Sequence, residues 1–398
     1  MKIIILNDYG HRNGGASEVA IESAISLYKR GKNVHFFFCD GPPDEEIINL
    51  EIPFTDLNQK ISFSGKEKYI SLFRSLWNFK ARSKLKNLIH LEDTSVVLHY
   101  HNWLKGLSPS VLKFNQKRGK LKKILTIHDY SIICPNGGLY NYKKNHICHY
   151  KPMGWKCIVS DCDKNSYYVK TYRLLRHFIG SQFLKILKGE INLMISVSNF
   201  SDKIIHQHFP KQETKILPTI LTEPVLIGPK HINRKNDFFL YIGRISPEKG
   251  VDIFCSACEA GGFKGVVVGS GELEENLRKK YKSVSFLGWK NRSEINQLLD
   301  SCSALIIPSR LYETQGLVAF EAMARNCPII APKDTAPGEA IQKYKLGIIF
   351  KIGSEADLIL KMNDVEKNEY YDIDTSSNPY LRLDKKSYID ELIETYNS

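Results

Sequence analysis

The sequence predicts a two-domain α/β protein with a parallel sheet in each half. Short, continuously apolar runs of strand length recur between amphipathic stretches, as expected of strands buried on both faces. The alternation starts at the N-terminus and starts afresh at Phe238. Between the halves, Pro210, Pro218, Pro224 and Pro229 punctuate a stretch with little periodicity. That stretch reads as a linker, with the boundary near 218–236. A length of 398 residues suits two or three domains, each with its own core.

In chain order, Met1–Asn7 is the first buried strand, too short for a signal peptide. The turn Gly10-His11-Arg12-Asn13-Gly14-Gly15-Ala16 follows, then an amphipathic helix through Leu27. Glycines between strand and helix let backbone approach a ligand. Val34–Cys39 is the second strand. From Gly65 to His90 runs a long basic helix pattern with Leu72, Phe73, Leu76, Trp77 and Phe79 as its apolar bulk. It suits either a membrane interface or a domain helix with a solvated back. Val96–Asn102 and Lys123–Tyr130 are strands whose C-terminal ends carry His101 and His128. Ligands of parallel sheets gather at such ends; for His101 the sequence favours a structural role. Residues 131–180 form an insert with Cys134, Cys148, Cys157 and Cys162. Their wide intervals leave buried thiols, a metal or a disulfide open, and buried thiols suit the spacing best. Thr171–Lys188 reads as a basic helix and Ile191–Ser198 as a strand.

The second half opens with the strand Phe238–Ile242 and Gly243-Arg244-Ile245-Ser246-Pro247-Glu248-Lys249-Gly250. Strand, glycine, then Arg and Lys five apart make a plausible diphosphate clamp, because Arg offers a planar fork and Lys a point charge. Gly265–Gly271 is strand-to-turn, with Glu274 where a dinucleotide fingerprint needs its third glycine. Cys255 and Cys258, at helical spacing, read as core. Val284–Trp289 is another strand and turn. Ser303–Ser309 is a buried strand, and a helix opens from about Gly316. Glu313 precedes that helix and Glu321 lies inside it, about two turns on. Carboxylates accept paired hydrogen bonds of the kind vicinal hydroxyls offer. Lys386–Tyr396 is a last amphipathic helix.

Gly243-Arg244…Pro247-Glu248-Lys249-Gly250, Gly269-Ser270-Gly271, Phe286-Leu287-Gly288 and the spacing from Glu313 to Glu321 together resemble the retaining glycosyltransferases of family 4, across essentially the whole chain. The resemblance implies a GT-B fold, with two Rossmann-like domains facing a cleft. Residues 1–218 would bind acceptor, 219–385 would bind nucleotide-sugar, and the helix 386–398 would return to the first domain. It implies that Arg244, Lys249, Glu313 and His128 serve catalysis. Gly14, Gly15, Ala16, Gly243, Gly269, Gly288, Gly316, Leu317, Val318 and Glu321 would hold the nucleotide-sugar, with Glu321 on the ribose. It implies no cofactor and no metal, the cationic pair doing the work often given to Mg²⁺. Asn326-Cys327-Pro328 departs from a common Gly-x-Pro of the family.

The net charge of +13 is uneven. Residues 1–200 carry 30 Lys and Arg against 16 Asp and Glu, and the remainder 26 against 27. The first half therefore expects a negative partner or a solvated basic face. An anionic membrane surface, with a saccharide or lipid-linked saccharide acceptor in cell-surface polysaccharide synthesis, suits the resemblance. A nucleic-acid partner lacks the aromatic–basic interleaving of known modules. A nucleotide-sugar epimerase or hydrolase of the same fold is the alternative enzyme. The absence of a membrane-length apolar run, and nine cysteines without regular pairing, suit a cytoplasmic, peripheral protein.

Overall fold

Continuous apolar runs between helices force parallel strands buried on both faces, and the computed structural model contains two such sheets. It describes residues 1–62, 67–90, 94–114, 120–219, 238–367 and 385–398, with backbone only for 181–190. The linker expected at 218–236 lies almost wholly outside the described residues.

The first sheet comprises β1 (Lys2–Tyr9), β2 (Asn33–Asp40), β3 (Phe54–Asp56), β4 (Val96–Tyr100) and β5 (Leu121–Ile127). After a small antiparallel hairpin, β6 (Tyr140–Asn141) and β7 (His146–Ile147), it is completed by β8 (Leu193–Ser196) and β9 (Thr214–Ile216). The strand order is β3-β2-β1-β4-β5-β8-β9, parallel throughout. The second sheet holds β10 (Phe238–Ile242), β11 (Lys264–Val268), β12 (Val284–Phe286), β13 (Ala304–Ile306), β14 (Ile329–Pro332) and β15 (Gly347–Phe350). Its order is β12-β11-β10-β13-β14-β15, again parallel. Both orders reverse direction once, between β1 and β4 and between β10 and β13. Outside the carboxyl ends at such a reversal, loops diverge and leave a crevice for ligand.

Alternation places Ile4 and Leu6 in one core and Ile3 and Ile5 in the other, so each sheet is sealed on both faces. The helices around the first sheet are α1 (Gly15–Lys29), α2 (Glu45–Asn49), α3 (Lys68–Leu76), α4 (Phe79–His90), α5 (Trp155–Val159), α6 (Tyr167–Glu190) and α7 (Asn199–His208). Around the second lie α8 (Val251–Gly261), α9 (Glu274–Lys280), α10 (Arg292–Ser301), α11 (Leu317–Met323), α12 (Ala336–Tyr344) and α13 (Glu355–Glu366). The last helix, α14 (Lys385–Asn397), packs Tyr388, Ile389, Leu392 and Tyr396 into the core of the first sheet. Arg30 holds Asp390 at 2.6 Å beside it.

The structure corrects several sequence expectations. The long helix expected from Gly65 to His90 is two helices, broken at Trp77, whose backbone is extended. Asn78 causes the break. Its side-chain oxygen accepts the Ala81 N–H at 3.0 Å, capping α4, and its amide donates to Gln59 and Gly106. α6 starts at Tyr167, four residues earlier than Thr171. Asn326 takes φ 53°, a left-handed conformation that Asn tolerates, so it fills the place of the family's glycine. Cys255 and Cys258 are buried on α8, and every cysteine is a free thiol.

Candidate active site

Three strand-end turns of the second sheet touch. Gly243 N–H donates to Val268 O at 3.0 Å, and Gly269 N–H donates to Gly288 O at 2.8 Å. A Cβ on Gly269 would lie 2.0 Å from Gly243 O, so only glycine permits this approach. Arg244 leaves this cluster with its side chain largely exposed, and donates to Glu248 at 2.9 Å. Tyr241 fixes the turn by donating to Arg244 O at 2.7 Å. Lys249 reaches across to the loop after β13 and donates to Glu313 at 2.7 Å. Ser309 donates to the same oxygen at 2.5 Å. Burial opposes ionisation of Glu313, yet Lys249 and Ser309 outweigh it and hold the carboxyl below its usual range. Arg310 completes the frame with a two-pronged contact to Asp252, both distances 2.7 Å.

The first domain meets this loop directly. Thr314 Oγ1 donates to His128 O at 3.0 Å, and Ser198 Oγ donates to Thr314 O at 2.5 Å. Gln315 donates to Thr219 O at 2.7 Å. Gly14 precedes α1, and Gly316, at φ 75°, precedes α11. The two helix starts face each other: a Cβ on Gly15 would lie 2.8 Å from Leu317 Cδ1. Ala16 opens α1 beside them, and Val318 follows on α11. Arg292 bridges the domains, 3.3 Å from Glu18 and 3.1 Å from Glu321. Burial raises the Glu321 carboxyl, with Arg292 working against it.

His128 receives support from beneath. Its Nε2 lies 2.9 Å from His101 Nδ1, and the rings are stacked. His99 sits under His101 and bonds Thr126 and Tyr396, each at 2.7 Å, so the returning helix α14 touches this column. Burial lowers all three imidazoles, His99 to about 3 and His128 to about 4, with His101 well below its ordinary value. His101 thus packs the column and also lines the cleft.

That cleft, of about 950 Å³, opens between the domains. His101, His128 and Arg244 line it. Lys249, Glu313, Glu321 and the Gly14–Ala16 loop lie outside its walls, where the domains are in contact. The insert supplies Tyr142 and Lys164, and α6 supplies Tyr172, Arg173 and Arg176. Lys164 crosses to Glu272 at 2.9 Å in the second domain. Sequence reasoning passed over Asp8, Arg173, Arg176, Arg292 and Ser309. Only Asp8 left a signal: a carboxylate at the end of an apolar strand. It accepts the N–H groups of Lys105, Gly106 and Leu107 at 2.9 Å each, shaping the loop after β4. Among the described residues, no group of three or more His, Cys, Asp and Glu could hold a metal ion.

Residues 225–387 match the family model of glycosyl transferases group 1. The second half of the chain thus carries a glycosyltransferase group 1 domain. An uncharacterized glycosyltransferase of Methanocaldococcus jannaschii is 26% identical over 195 residues, 48% of this chain and 54% of that one; the match spans about half of that relative. An uncharacterized 42.6 kDa protein in the cps region of Klebsiella pneumoniae is 26% identical over 344 residues, 81% of this chain and 83% of that one. Anabaena HepE in complex with UDP-glucose superposes with a TM-score of 0.66 at 17% identity, covering 100% of this chain and 99% of that one. The fold is GT-B, as the sequence implied.

The histidine column predicts a pH dependence. Each imidazole binds its proton more weakly when folded, so the unfolded chain takes up more protons as pH falls below about 6.5. Stability should therefore be complete above that value and fall toward pH 4, by up to about 1.4 kcal/mol per pH unit for each histidine. The loss from Glu313 enters only below about 4.3, where an unfolded glutamate takes up its proton. Urea unfolding at pH 7.5, 6.5, 5.5 and 4.8 should show this decline, shallower in His101→Asn. Equal stability at all four pH values would contradict the buried, neutral column.

Proposed function

We propose that this chain is a retaining glycosyltransferase, moving a hexosyl group from a nucleoside-diphosphate sugar to a saccharide or lipid-linked saccharide in cell-surface polysaccharide synthesis. One observation carries the reading. Arg244, Lys249 and Glu313 gather at the strand-order reversal of the second sheet, against His128 from the strand ends of the first. A leaving diphosphate gathers negative charge as the glycosidic bond breaks, and fixed cations beside it stabilise that change most. Arg244 and Lys249 take this role. Glu313, kept ionised, accepts from sugar hydroxyls, and the first N–H groups of α11 at Leu317 and Val318 assist. Glu321 holds the ribose once Arg292 yields. His128 presents the face of the acceptor domain to the transferred sugar. The leaving phosphate aids attack from its own side of the ring, which retains configuration. No metal is needed for these steps. The bound UDP-glucose of Anabaena HepE and the cps-region relative support a nucleotide-sugar donor and a polysaccharide setting. The wide cleft on the first-domain side supports transfer to an acceptor over hydrolysis or epimerisation.

Thermal-shift measurements against a panel of nucleotide-sugars identify the donor, since ligand at a hundred times its Kd stabilises by about 2.7 kcal/mol. With that donor, Arg244→Ala and Lys249→Ala should each lower turnover about 10²-fold or more. Glu321→Gln should weaken binding of the free nucleoside diphosphate, while Glu313→Gln should spare it and cut transfer. Equal loss of nucleotide binding in both glutamine variants would refute the division of roles.

We further propose that the basic half rests on an anionic membrane surface, from the cytoplasmic side. Ile70, Phe73 and Phe79 project outward on α3 and α4, beside exposed Lys84 and Lys86. The sequence offers Trp77 and Phe79 beside Lys80, Arg82, Lys84 and Lys86 as an apolar foot, and the structure alters that set. Trp77 is half-buried, Lys80 donates to Leu57 O, and Arg82 lies over the Trp77 and Phe114 rings. Among the described residues no helix is long and apolar enough to cross a membrane. Each basic side chain near an anionic leaflet contributes on the order of 1 kcal/mol. The protein should co-sediment with vesicles containing anionic lipid and not with neutral ones. Lys84→Glu with Lys86→Glu should weaken this, and moderate salt should release it. Indifference to lipid charge would rule the surface out.

A further inference from the structure

α6 carries a cation that the donor chemistry does not use. Tyr168, Tyr172, Arg173 and Arg176 recur at helical spacing and line the cleft on its first-domain side. Arg173 has a partner: the fully buried carboxylate of Asp163 lies 3.2 Å away. Arg176 has none among the described residues, neither an ion pair nor a hydrogen bond. Tyr172 and two carboxylates, Asp8 and Asp129, favour its charged form through space, without a hydrogen bond. Both are engaged elsewhere, Asp8 with three backbone N–H groups and Asp129 with Ser131 N at 2.8 Å. Burial and the neighbouring Arg173 both disfavour the charged form of Arg176. A guanidinium stays protonated in proteins nevertheless. It therefore stands partly buried on the wall of a cavity, its fork bonded to no side chain and its charge balanced only through space, open to an anion that would pair with it directly.

We propose that Arg176 is the acceptor-side anion site of this cleft, and that the acceptor is a saccharide bearing a phosphate or a carboxylate. A planar guanidinium matches either anion with two parallel hydrogen bonds, and neutral hydroxyls leave its charge unbalanced. Arg173, one helical turn away, is held by Asp163 and adds N–H donors to the same wall rather than net charge. The site is distinct from the donor clamp: Arg176 belongs to the first domain, and Arg244 with Lys249 to the second. The inference rests on the glycosyltransferase reading for the word acceptor; the anion site itself rests on Arg176 alone.

The test is isothermal titration of the full chain with its donor half filled by the nucleoside diphosphate that binds tightest. The probes are inorganic pyrophosphate, inorganic phosphate and glucuronate. Wild type should bind at least one of them, and Arg176→Met should weaken that binding about tenfold or more. Arg176→Lys should restore part of it, because the charge returns without the fork. The thermal transition of Arg176→Met without probe should hold or rise, whereas a structural arginine would lower it. A preference for phosphate or pyrophosphate assigns a phosphorylated acceptor, and one for glucuronate a uronate. Equal binding in Arg176→Met, or no anion binding beside the nucleotide, would overturn the proposal. Pyrophosphate that merely competes with the nucleotide would overturn it too, leaving the donor reading intact. If no nucleoside diphosphate binds, the donor reading fails; the same titration of the free protein, comparing Arg176→Met with Arg244→Ala, still decides the anion site.

Discussion

The ion pair between Lys249 and Glu313 is the constraint on which the rest of the site depends. A carboxylate enclosed by protein must be matched, and here Lys249 and Ser309 match it from two different loops. The pair fixes the loop after β13 against the turn after β10. The next residue, Thr314, is held on both sides by the first domain, through His128 O and Ser198 Oγ. One short stretch thus sets both the proposed donor site and the way the first domain meets it. Removing Lys249 leaves the buried Glu313 with Ser309 as its remaining side-chain partner, so a loss of function there carries a cost in structure as well.

Each sheet places its ligand-facing residues by the same rule. The crevice lies where strand order reverses, and the residues that follow β1, β4 and β5 face those that follow β10 and β13. Charge is then divided across the cleft. The second domain presents Arg244 and Lys249, where the proposed reaction would release a diphosphate, and the first presents Arg173 and Arg176, where the proposed acceptor would enter. Arg292 joins Glu18 to Glu321, so a ligand that takes up Glu321 also loosens a contact between the domains.

Much of this was legible in the sequence because its causes are local. Apolar runs such as Ile3–Leu6 and Phe36–Cys39 announce buried parallel strands, and strand–Gly–helix turns mark ligand-facing ends. Arg244, Lys249, Glu313 and Glu321 stood out because their spacing survives in a single string. What was missed depends on packing between distant residues. The break at Asn78 needs Gln59 and Gly106, which the helical pattern of Gly65–His90 does not contain. Arg176 reads as one more basic residue until the register of α6 turns it toward a cavity, with no ion pair among the described residues. Asp8 and Ser309 acquire meaning only from the loops they hold.

The most direct test of the account is a crystal structure with the intact nucleotide-sugar that the binding panel selects. The account predicts the diphosphate within hydrogen-bonding distance of Arg244 and Lys249, and the ribose on Glu321 with Arg292 displaced. It predicts the sugar between Glu313 and the strand end that carries His128. A nucleotide seated elsewhere, with the Lys249–Glu313 pair untouched by phosphate or sugar, would contradict it.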